Sequence, residues 1–197
     1  MAEQFHLIGN GDSSRMFDHS VGGLKMTCNL PPFPVNAIAT AIVDFKMMRA
    51  IQEGSLVVPG DWVLGFRPHM HLQKNPSMYI KHAPQIKEFY LTLPSYCPSY
   101  TYFSCGHFAA HYLCTKFKPT ELHMYGFDSL FNFDLRSCSD FYLQSDRDDA
   151  NTARLTQNWR NVWPSQFAEF PNVKFVLHGA HRDLKVNVPD NVEVQVH

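Results

Sequence analysis

Hydrophobic positions along the chain fall into short apolar runs that glycine, proline, asparagine or aspartate interrupts. Short apolar runs bounded by turn residues are typical of strands. The last run alternates valine with polar residues, which indicates a half-exposed edge strand. The pattern predicts strands at 4–8, 24–28, 39–43, 61–66, within 89–93, 121–125, 173–177 and 191–196.

Apolar residues with helical spacing lie between several of these runs. The segment 107–117 is apolar on nearly every side, which predicts a helix buried on more than one face. Leu155, Trp159 and Val162 recur at i, i+4 and i+7 after an aspartate at 148 or 149 that can cap a helix. Shorter helices are predicted from about 13 to 19 and from 45 to 52.

Strands that alternate with helices predict an α/β fold with a mainly parallel sheet and helices on both faces. We therefore expect a single Rossmann-like domain over 1–197. The segment 67–103 is rich in proline, tyrosine and histidine, and it predicts a small irregular lid or insertion.

Composition narrows the class of protein. The chain has 45% hydrophobic and 18% charged residues and a formal net charge of −1, which argues against a nucleic-acid or membrane-surface partner. No apolar run is long enough to span a bilayer, and no leader pattern is visible. Five cysteines without C-x-x-C spacing favour reduced thiols and a cytoplasmic location. The sequence is compatible with a homo-oligomer, because the edge strand near 192 could be buried in a dimer.

Ligands of parallel α/β sheets bind beyond the carboxyl ends of the strands. The loop Gly9-Asn10-Gly11-Asp12-Ser13-Ser14 follows the first strand. Its glycines allow close backbone approach, its asparagine can donate and accept, and its serines can cap a helix that favours an anion. The loop is neither G-x-G-x-x-G nor a P-loop, and Asp12 needs a cation or base beside it. An ordinary strand-to-helix turn is an equal alternative.

Two further strand or helix ends carry polar groups. Asp44 could hold a ribose hydroxyl, a base edge or Mg²⁺, or it could simply cap the next helix. Ser104-Cys105-Gly106 precedes the apolar helix and could bind an anion at its N-terminus. A reactive Cys105 is conceivable there, because a helix N-terminus lowers the pKa of a thiol, but no Cys-His-Asn arrangement is evident.

Histidines provide the candidate general base. His178 ends an apolar strand on the expected ligand side, although a surface-loop role is the stronger alternative. His107 and His111 have metal-compatible spacing without His-Glu-x-x-His, so structural roles are favoured, and no metal site is predicted. The roles of His69, His71 and His181 and of the charge run 146–149 are ambiguous. A separate aromatic cluster could stack a base or sugar, or it could pack a lid onto the body of the domain. This cluster consists of Tyr96, Tyr100, Tyr102 and Phe103.

The order strand–Gly-Asn-Gly-x-Ser, strand–Cys-Asn, Ser-x-Gly–apolar helix, strand–Gly-x-Asp resembles the bacterial family 42 sialyltransferases. It is also similar to the related superfamily of flagellin-glycosylating motility factors and archaeal-type hydroxymethylpterin diphosphokinases. The resemblance runs from Phe5 to Asp128 and more weakly to Leu177. It implies a Rossmann-like fold that binds a CMP-sugar or an NTP. It also implies nucleotide contacts from Asn10 and Asn29, phosphate or sugar contacts from 104–106, and contacts beside the base and ribose from 126–128.

Two positions depart from the sialyltransferase pattern. Asp12 stands where proline is usual. The loop after the strand at 121–125 should supply tyrosines and then a histidine base, but only Tyr142 fits and 144–151 contains no histidine. Either His178 or His181 substitutes for this base, or the reaction is not sialyl transfer.

The sequence thus predicts a nucleotide-dependent transferase that moves a sugar from a CMP-type donor to an unknown acceptor. Diphosphoryl transfer from an NTP, with Mg²⁺ on Asp12, Asp44 or Asp128, and a non-catalytic nucleotide-binding module are the alternatives. The candidate catalytic residues are His178 and Asp128. The candidate nucleotide-binding residues are Gly9, Asn10, Gly11, Asp12, Ser13, Asn29, Asp44, Ser104, Cys105, Gly106, Gly126 and Phe127.

Overall fold

The computed structural model describes residues 4–131 and 149–197. Most strands are short, and the central ones are almost wholly buried. Their bounds are β1 Gln4–Ile8, β2 Leu24–Cys28, β3 Ala39–Ile42, β4 Trp62–Leu64, β5 Ile86–Phe89, β6 Glu121–Tyr125, β7 Lys174–Gly179 and β8 Val192–Val196.

Five α-helices lie within the described residues, and a 3-10 turn over Asp12–Met16 follows β1. The helix after Ser104 is apolar almost all round and ends at Lys118, which adopts the left-handed conformation ahead of Pro119. The helix bounds are α1 Phe45–Gln52, α2 Phe66–Lys74, α3 Pro76–His82, α4 Cys105–Phe117 and α5 Asp149–Glu169.

All eight strands form one parallel sheet in the order β5-β4-β3-β2-β1-β6-β7-β8. The chain adds strands outward from β1 to β5 and then crosses back to β6 on the other side of β1. Strand order therefore reverses between β1 and β6, which is where doubly wound sheets bind ligands. The predicted α/β, Rossmann-like architecture is confirmed.

Helices cover both faces of the sheet. On one face, α4 and α5 bury the alternate strand residues that include Phe5, Leu7 and Phe175. On the other face, α1, α2 and α3 pack on Ile42 and Leu64. A smaller cluster from the 3-10 turn and the following loop covers that second face around β1 and β6.

The irregular segment is shorter than the sequence predicts. Helices α2 and α3 and strand β5 occupy most of 66–89, and only 90–104 lacks regular structure. Pro76 is the first residue of α3, a position where proline fits a helix because its missing N–H has no partner there. The predicted edge strand is confirmed as β8, which pairs with β7 alone among the strands of the described residues. None of the helices in the described ranges is long and apolar enough to cross a membrane.

Candidate functional site

A cavity of about 290 Å³ opens at the switch point between β1 and β6. Its floor comes from the carboxyl ends of β1, β2, β3 and β6 and from the first residues of α4. Its walls come from the loop before α4 and from α5. Ten of the predicted residues line it: Gly9, Asn10, Asn29, Asp44, Ser104, Cys105, Gly106, Gly126, Phe127 and Asp128.

The loops after β1 and β6 are locked together beneath this cavity. The N–H of Gly9 donates to the carbonyl of Tyr125 at 2.7 Å, and the N–H of Gly11 donates to the carbonyl of Gly126 at 3.0 Å. The N–H of Ser13 donates to the carboxylate of Asp128 at 3.0 Å. The N–H of Gly126 donates back to Oγ of Ser13 at 2.9 Å. Ser13 and Asp128 thus hold the two loops in one arrangement.

This packing explains why glycine occupies two of these positions. A Cβ on Gly9 would lie 2.7 Å from the carbonyl oxygen of Gly126. Gly126 has φ of +77°, and a Cβ there would lie 2.8 Å from the carbonyl carbon of Gly9. Both side chains are excluded by backbone, which cannot move aside. The glycines are therefore required for contact between the two loops, whatever ligand lies above them.

The two cavity asparagines form a chain of amides. Nδ2 of Asn10 donates to the carbonyl of Leu30 at 2.8 Å, which turns Oδ1 of Asn10 toward Asn29. Nδ2 of Asn29 donates to that oxygen at 3.5 Å. Oδ1 of Asn29 is then buried without a hydrogen-bond partner among the described residues, and Asn29 itself is 5% exposed. A buried acceptor without a donor is costly, so a ligand group that donates a hydrogen bond would be stabilising here.

An ion pair stands on the β3–β4 side of the cavity. Asp44 precedes α1, but its carboxylate does not cap that helix. It accepts a hydrogen bond from Arg67 at 3.2 Å, and Arg67 also donates to the carbonyl of Tyr100 at 3.0 Å. Arg67 carries the positive charge among the described residues that line the cavity. The sequence analysis does not predict Arg67, although the rule that ligands bind beyond strand ends, applied to β4, points to Gly65 and Arg67.

The N-terminus of α4 faces the cavity. Ser104 caps the helix, with its Oγ 2.8 Å from Nδ1 of His107 and the N–H of His107 directed at Oγ. The N–H groups of Cys105 and Gly106, the first two in the helix, have no carbonyl partner within it. Two backbone donors and the positive end of the helix dipole thus point where an anion can bind.

Cys105 itself is not a reactive thiol. Its Sγ donates to the carbonyl of Ala41 at 3.1 Å. Burial and the neighbouring Cys28 raise the pKa of the Cys105 thiol well above its usual range. The neutral thiol is a poor nucleophile, and burial here outweighs the helix N-terminus that would lower the pKa.

Aromatic side chains enclose the rest of the cavity. Tyr100 and Phe103 come from the irregular loop, Phe127 from the end of β6, and Trp159 and Trp163 from α5. Nε1 of Trp159 donates to the carbonyl of Thr101 at 3.0 Å, which joins the loop to α5. The hypothesis that Tyr100 and Phe103 stack a ligand is compatible with this position, whereas Tyr96 donates to Glu169 outside the cavity.

Four predicted residues lie outside the cavity lining. Gly11 and Ser13 lie below the cavity, where they make the hydrogen bonds that join the loops after β1 and β6. Asp12 is exposed on the 3-10 turn. His178 is buried on the opposite face of the sheet, because Phe175 and Leu177 beside it in β7 pack toward α4 and α5. The structure does not bring His178 to the cavity.

His178 instead belongs to a histidine row, which consists of His6, His123, His178 and His197. Nε2 of His178 lies 3.0 Å from Nδ1 of His123, and Nδ1 lies 2.7 Å from Nε2 of His197. Its ring stacks on Tyr125 at 3.9 Å, and His6 stacks on His123 at 5.0 Å. Burial and the adjacent histidines lower the pKa of His178 to about 3.

The other histidines discussed above also have structural contacts. Burial lowers the pKa of His107 to about 3, and its ring packs on Trp163. His111 is contacted by the hydroxyl of Tyr90 and by Glu169. No group of three or more metal-binding side chains occurs in the ranges 4–131 and 149–197. Tyr142 and positions 146–148 of the charge run lie outside the described residues.

Models of known protein families, curated proteins and solved structures were each compared with this chain, and none matches. The cavity and its chemistry are therefore the basis for assigning a function.

Proposed function

We propose that the protein binds a nucleotide in this cavity and uses a nucleotide sugar, of the CMP type, as the donor in a glycosyl transfer. The observation that carries this proposal is the pairing of the α4 N-terminus with the buried, unpartnered Oδ1 of Asn29 at the strand-order switch. The helix N-terminus favours an anion, and the oxygen of Asn29 favours a hydrogen-bond donor. A nucleotide supplies both within one small molecule, through its phosphate and through its hydroxyl or amino groups.

Each part of the donor has a matching part of the cavity. The phosphate fits the N–H groups of Cys105 and Gly106, with Arg67 adding positive charge. A hydroxyl or base amino group fits Oδ1 of Asn29. The planar base fits the aromatic walls around Trp159 and Phe127.

In this proposal the main catalytic contribution is electrostatic. As the bond from the sugar to the phosphate breaks, negative charge grows on the leaving phosphate beside the helix N-terminus and Arg67. Asp44 takes the role of base in place of His178, because His178 lies on the far face of the sheet. Asp128 is engaged by the backbone of Ser13, whereas Asp44, which also lines the cavity, has a side chain that is 37% exposed.

Thermal unfolding with a nucleotide panel tests the binding step. CMP, CDP, UDP, GDP and ADP are added separately to the full chain. A ligand at 100 times its Kd adds about 2.7 kcal/mol, which raises the Tm by roughly 5 to 11 °C for a chain of this size. We expect the largest rise with CMP and a smaller one in Asn29→Ala. Asn187→Ala, at an exposed position, is the matched control. No rise with any nucleotide would remove the proposal.

A non-catalytic nucleotide-binding module is the second candidate. It is favoured by the position of His178, since the expected histidine base does not reach the cavity. Incubation with CMP-sialic acid and other CMP-sugars separates the two. Release of CMP above the buffer rate, lost in Asp44→Asn, supports the transferase. Binding without release supports the module.

Diphosphoryl transfer has less support from the geometry. Its Mg²⁺ would need carboxylates with open coordination sites. Asp128 accepts from Ser13 and Asp12 lies away from the cavity, so Asp44 is the one carboxylate in the described cavity lining that is left for a metal. Nucleotide binding that is insensitive to EDTA is the expected result.

A further inference from the structure

An exposed aromatic surface adjoins the cavity at the carboxyl ends of β3 and β4. Phe45 is the first residue of α1 and is 42% exposed, and Phe66 is the first residue of α2 and is 37% exposed. Tyr100 covers Phe66 from the irregular loop. We call Phe45, Phe66 and Tyr100 the aromatic platform. Other apolar residues of these two helices, such as Met48 and Leu72, are buried against the sheet, so the two phenylalanines are exceptions.

The platform is held in place by contacts on several sides. The rings of Phe66 and Tyr100 are stacked, with centroids 4.4 Å apart and planes 8° apart. The hydroxyl of Tyr100 donates to the carbonyl of Leu91 at 2.9 Å, and its own carbonyl accepts from Arg67. These contacts fix the rings of Phe66 and Tyr100 before any ligand arrives, which lowers the entropy cost of binding.

The platform is continuous with the cavity. Tyr100 lines the cavity and also stacks on Phe66. Asp44 and Arg67, which line the cavity, immediately neighbour Phe45 and Phe66 in the chain. A molecule on the platform would therefore reach the Asp44–Arg67 ion pair and, beyond it, the donor site.

The chemistry of this surface selects the kind of molecule. A purely apolar partner would cover the half-exposed ion pair and remove its water, which is costly. A free anion would gain nothing from the aromatic rings. A pyranose ring has an apolar C–H face that packs on aromatic rings, and it has hydroxyls that a carboxylate and a guanidinium can bind together.

We propose that the aromatic platform holds a saccharide acceptor, with one sugar ring on the outer face of Phe66, which Tyr100 does not cover, and its hydroxyls at Asp44 and Arg67. This inference rests on the proposed glycosyl transfer. The acceptor hydroxyl oxygen forms a bond to the anomeric carbon of the donor sugar. The bond from that carbon to the phosphate oxygen breaks, and its electron pair leaves with the nucleotide. The hydroxyl proton passes to Asp44.

Saturation-transfer NMR on the full chain tests the platform with lactose, maltose, cellobiose and methyl galactoside as probes, each with and without CMP. Saturation of the protein should reach the C–H protons of at least one probe. Phe66→Ala should weaken that binding by about fivefold. The control is Ile80→Ala, at a 73% exposed position on α3, which should bind as the wild type does.

The nucleotide measurement separates the two proposals. Phe66 is not part of the cavity lining, so Phe66→Ala should keep the full CMP-induced rise in Tm. If the wild type shows no rise with any nucleotide, the donor proposal fails while saccharide binding is still measured. If no probe receives saturation, or if Phe66→Ala binds a probe as tightly as the wild type, the platform proposal is overturned.

Discussion

The histidine row makes the stability of this protein dependent on pH, and His6 allows the effect to be measured. His6 is buried beside His123 and Phe17, and neither of its ring nitrogens has a side-chain hydrogen-bond partner among the described residues. Burial, the neighbouring His123 and Lys25 lower its pKa from 6.5 to about 4. The folded protein thus keeps His6 neutral at a pH where the unfolded chain protonates it.

The sign and size of the change in folding stability with pH follow from this difference in proton binding. A histidine with a lowered pKa adds no penalty above pH 6.5, and it destabilises the fold as the pH falls from 6.5 toward about 4. At pH 5, which is about 1.5 pH units below 6.5, each such histidine costs about 2 kcal/mol at 1.36 kcal/mol per unit. His107 and His178, whose pKa values are lowered to about 3, add similar penalties.

Urea unfolding at pH 7, 6 and 5, followed by circular dichroism, measures this dependence. We expect His6→Phe to lose about 2 kcal/mol less than the wild type between pH 7 and pH 5. His19→Phe, at an exposed position, is the control and should lose as much as the wild type. Equal losses in His6→Phe and the wild type would refute the argument that the fold keeps His6 neutral.

Three further predictions concern the cavity. Gly126→Ala should reduce the free energy of unfolding by about 2 to 4 kcal/mol, because φ is +77° and the added Cβ meets backbone atoms. The control is Gly22→Ala, where the added Cβ meets open space. It should change the free energy of unfolding by less than about 1 kcal/mol in the same urea assay. Arg67→Ala should raise the Kd for CMP, measured by calorimetry, about tenfold or more. Arg182→Ala, at an exposed position, is the control and should leave the Kd unchanged. An unchanged Kd in Arg67→Ala would exclude Arg67 from phosphate binding. Iodoacetamide at pH 8 should alkylate Cys105 at least about tenfold more slowly in the native protein than in urea. Peptide mass spectrometry measures both rates. Equal rates would contradict the conclusion that Cys105 is a buried, neutral thiol.

Local patterns in the sequence were sufficient to predict most of the sheet and the floor of the cavity. Strands 4–8 and 121–125 are largely buried runs that a glycine ends, so their type and bounds could be predicted from nearby residues. In a parallel sheet the carboxyl ends of all strands share one edge. For that reason Asn10, Asn29 and Asp44 could be assigned to one site without knowledge of strand order.

The sequence was less informative where proline or long-range packing decides the outcome. Pro68 and Pro76 suggested an irregular segment, but each lies in the first turn of a helix, where a proline is tolerated. The end of β4 marks Arg67 as a candidate, but its role depends on Asp44 and Tyr100, which lie 23 and 33 residues from it in the chain.

The positions of His178 and Asp128 show what only the tertiary structure decides. The sequence places both at the carboxyl ends of strands, and the structure has His178 near the end of β7 and Asp128 just after β6. Successive side chains of a strand point to opposite faces, so the face of His178 depends on which side α4 and α5 cover. Those helices pack on Phe175 and Leu177, which leaves His178 in the histidine row, while Asp128 is drawn to the backbone of Ser13. Strand ends are encoded locally, but the partners of each side chain are set by helix packing and loop contacts between distant parts of the chain.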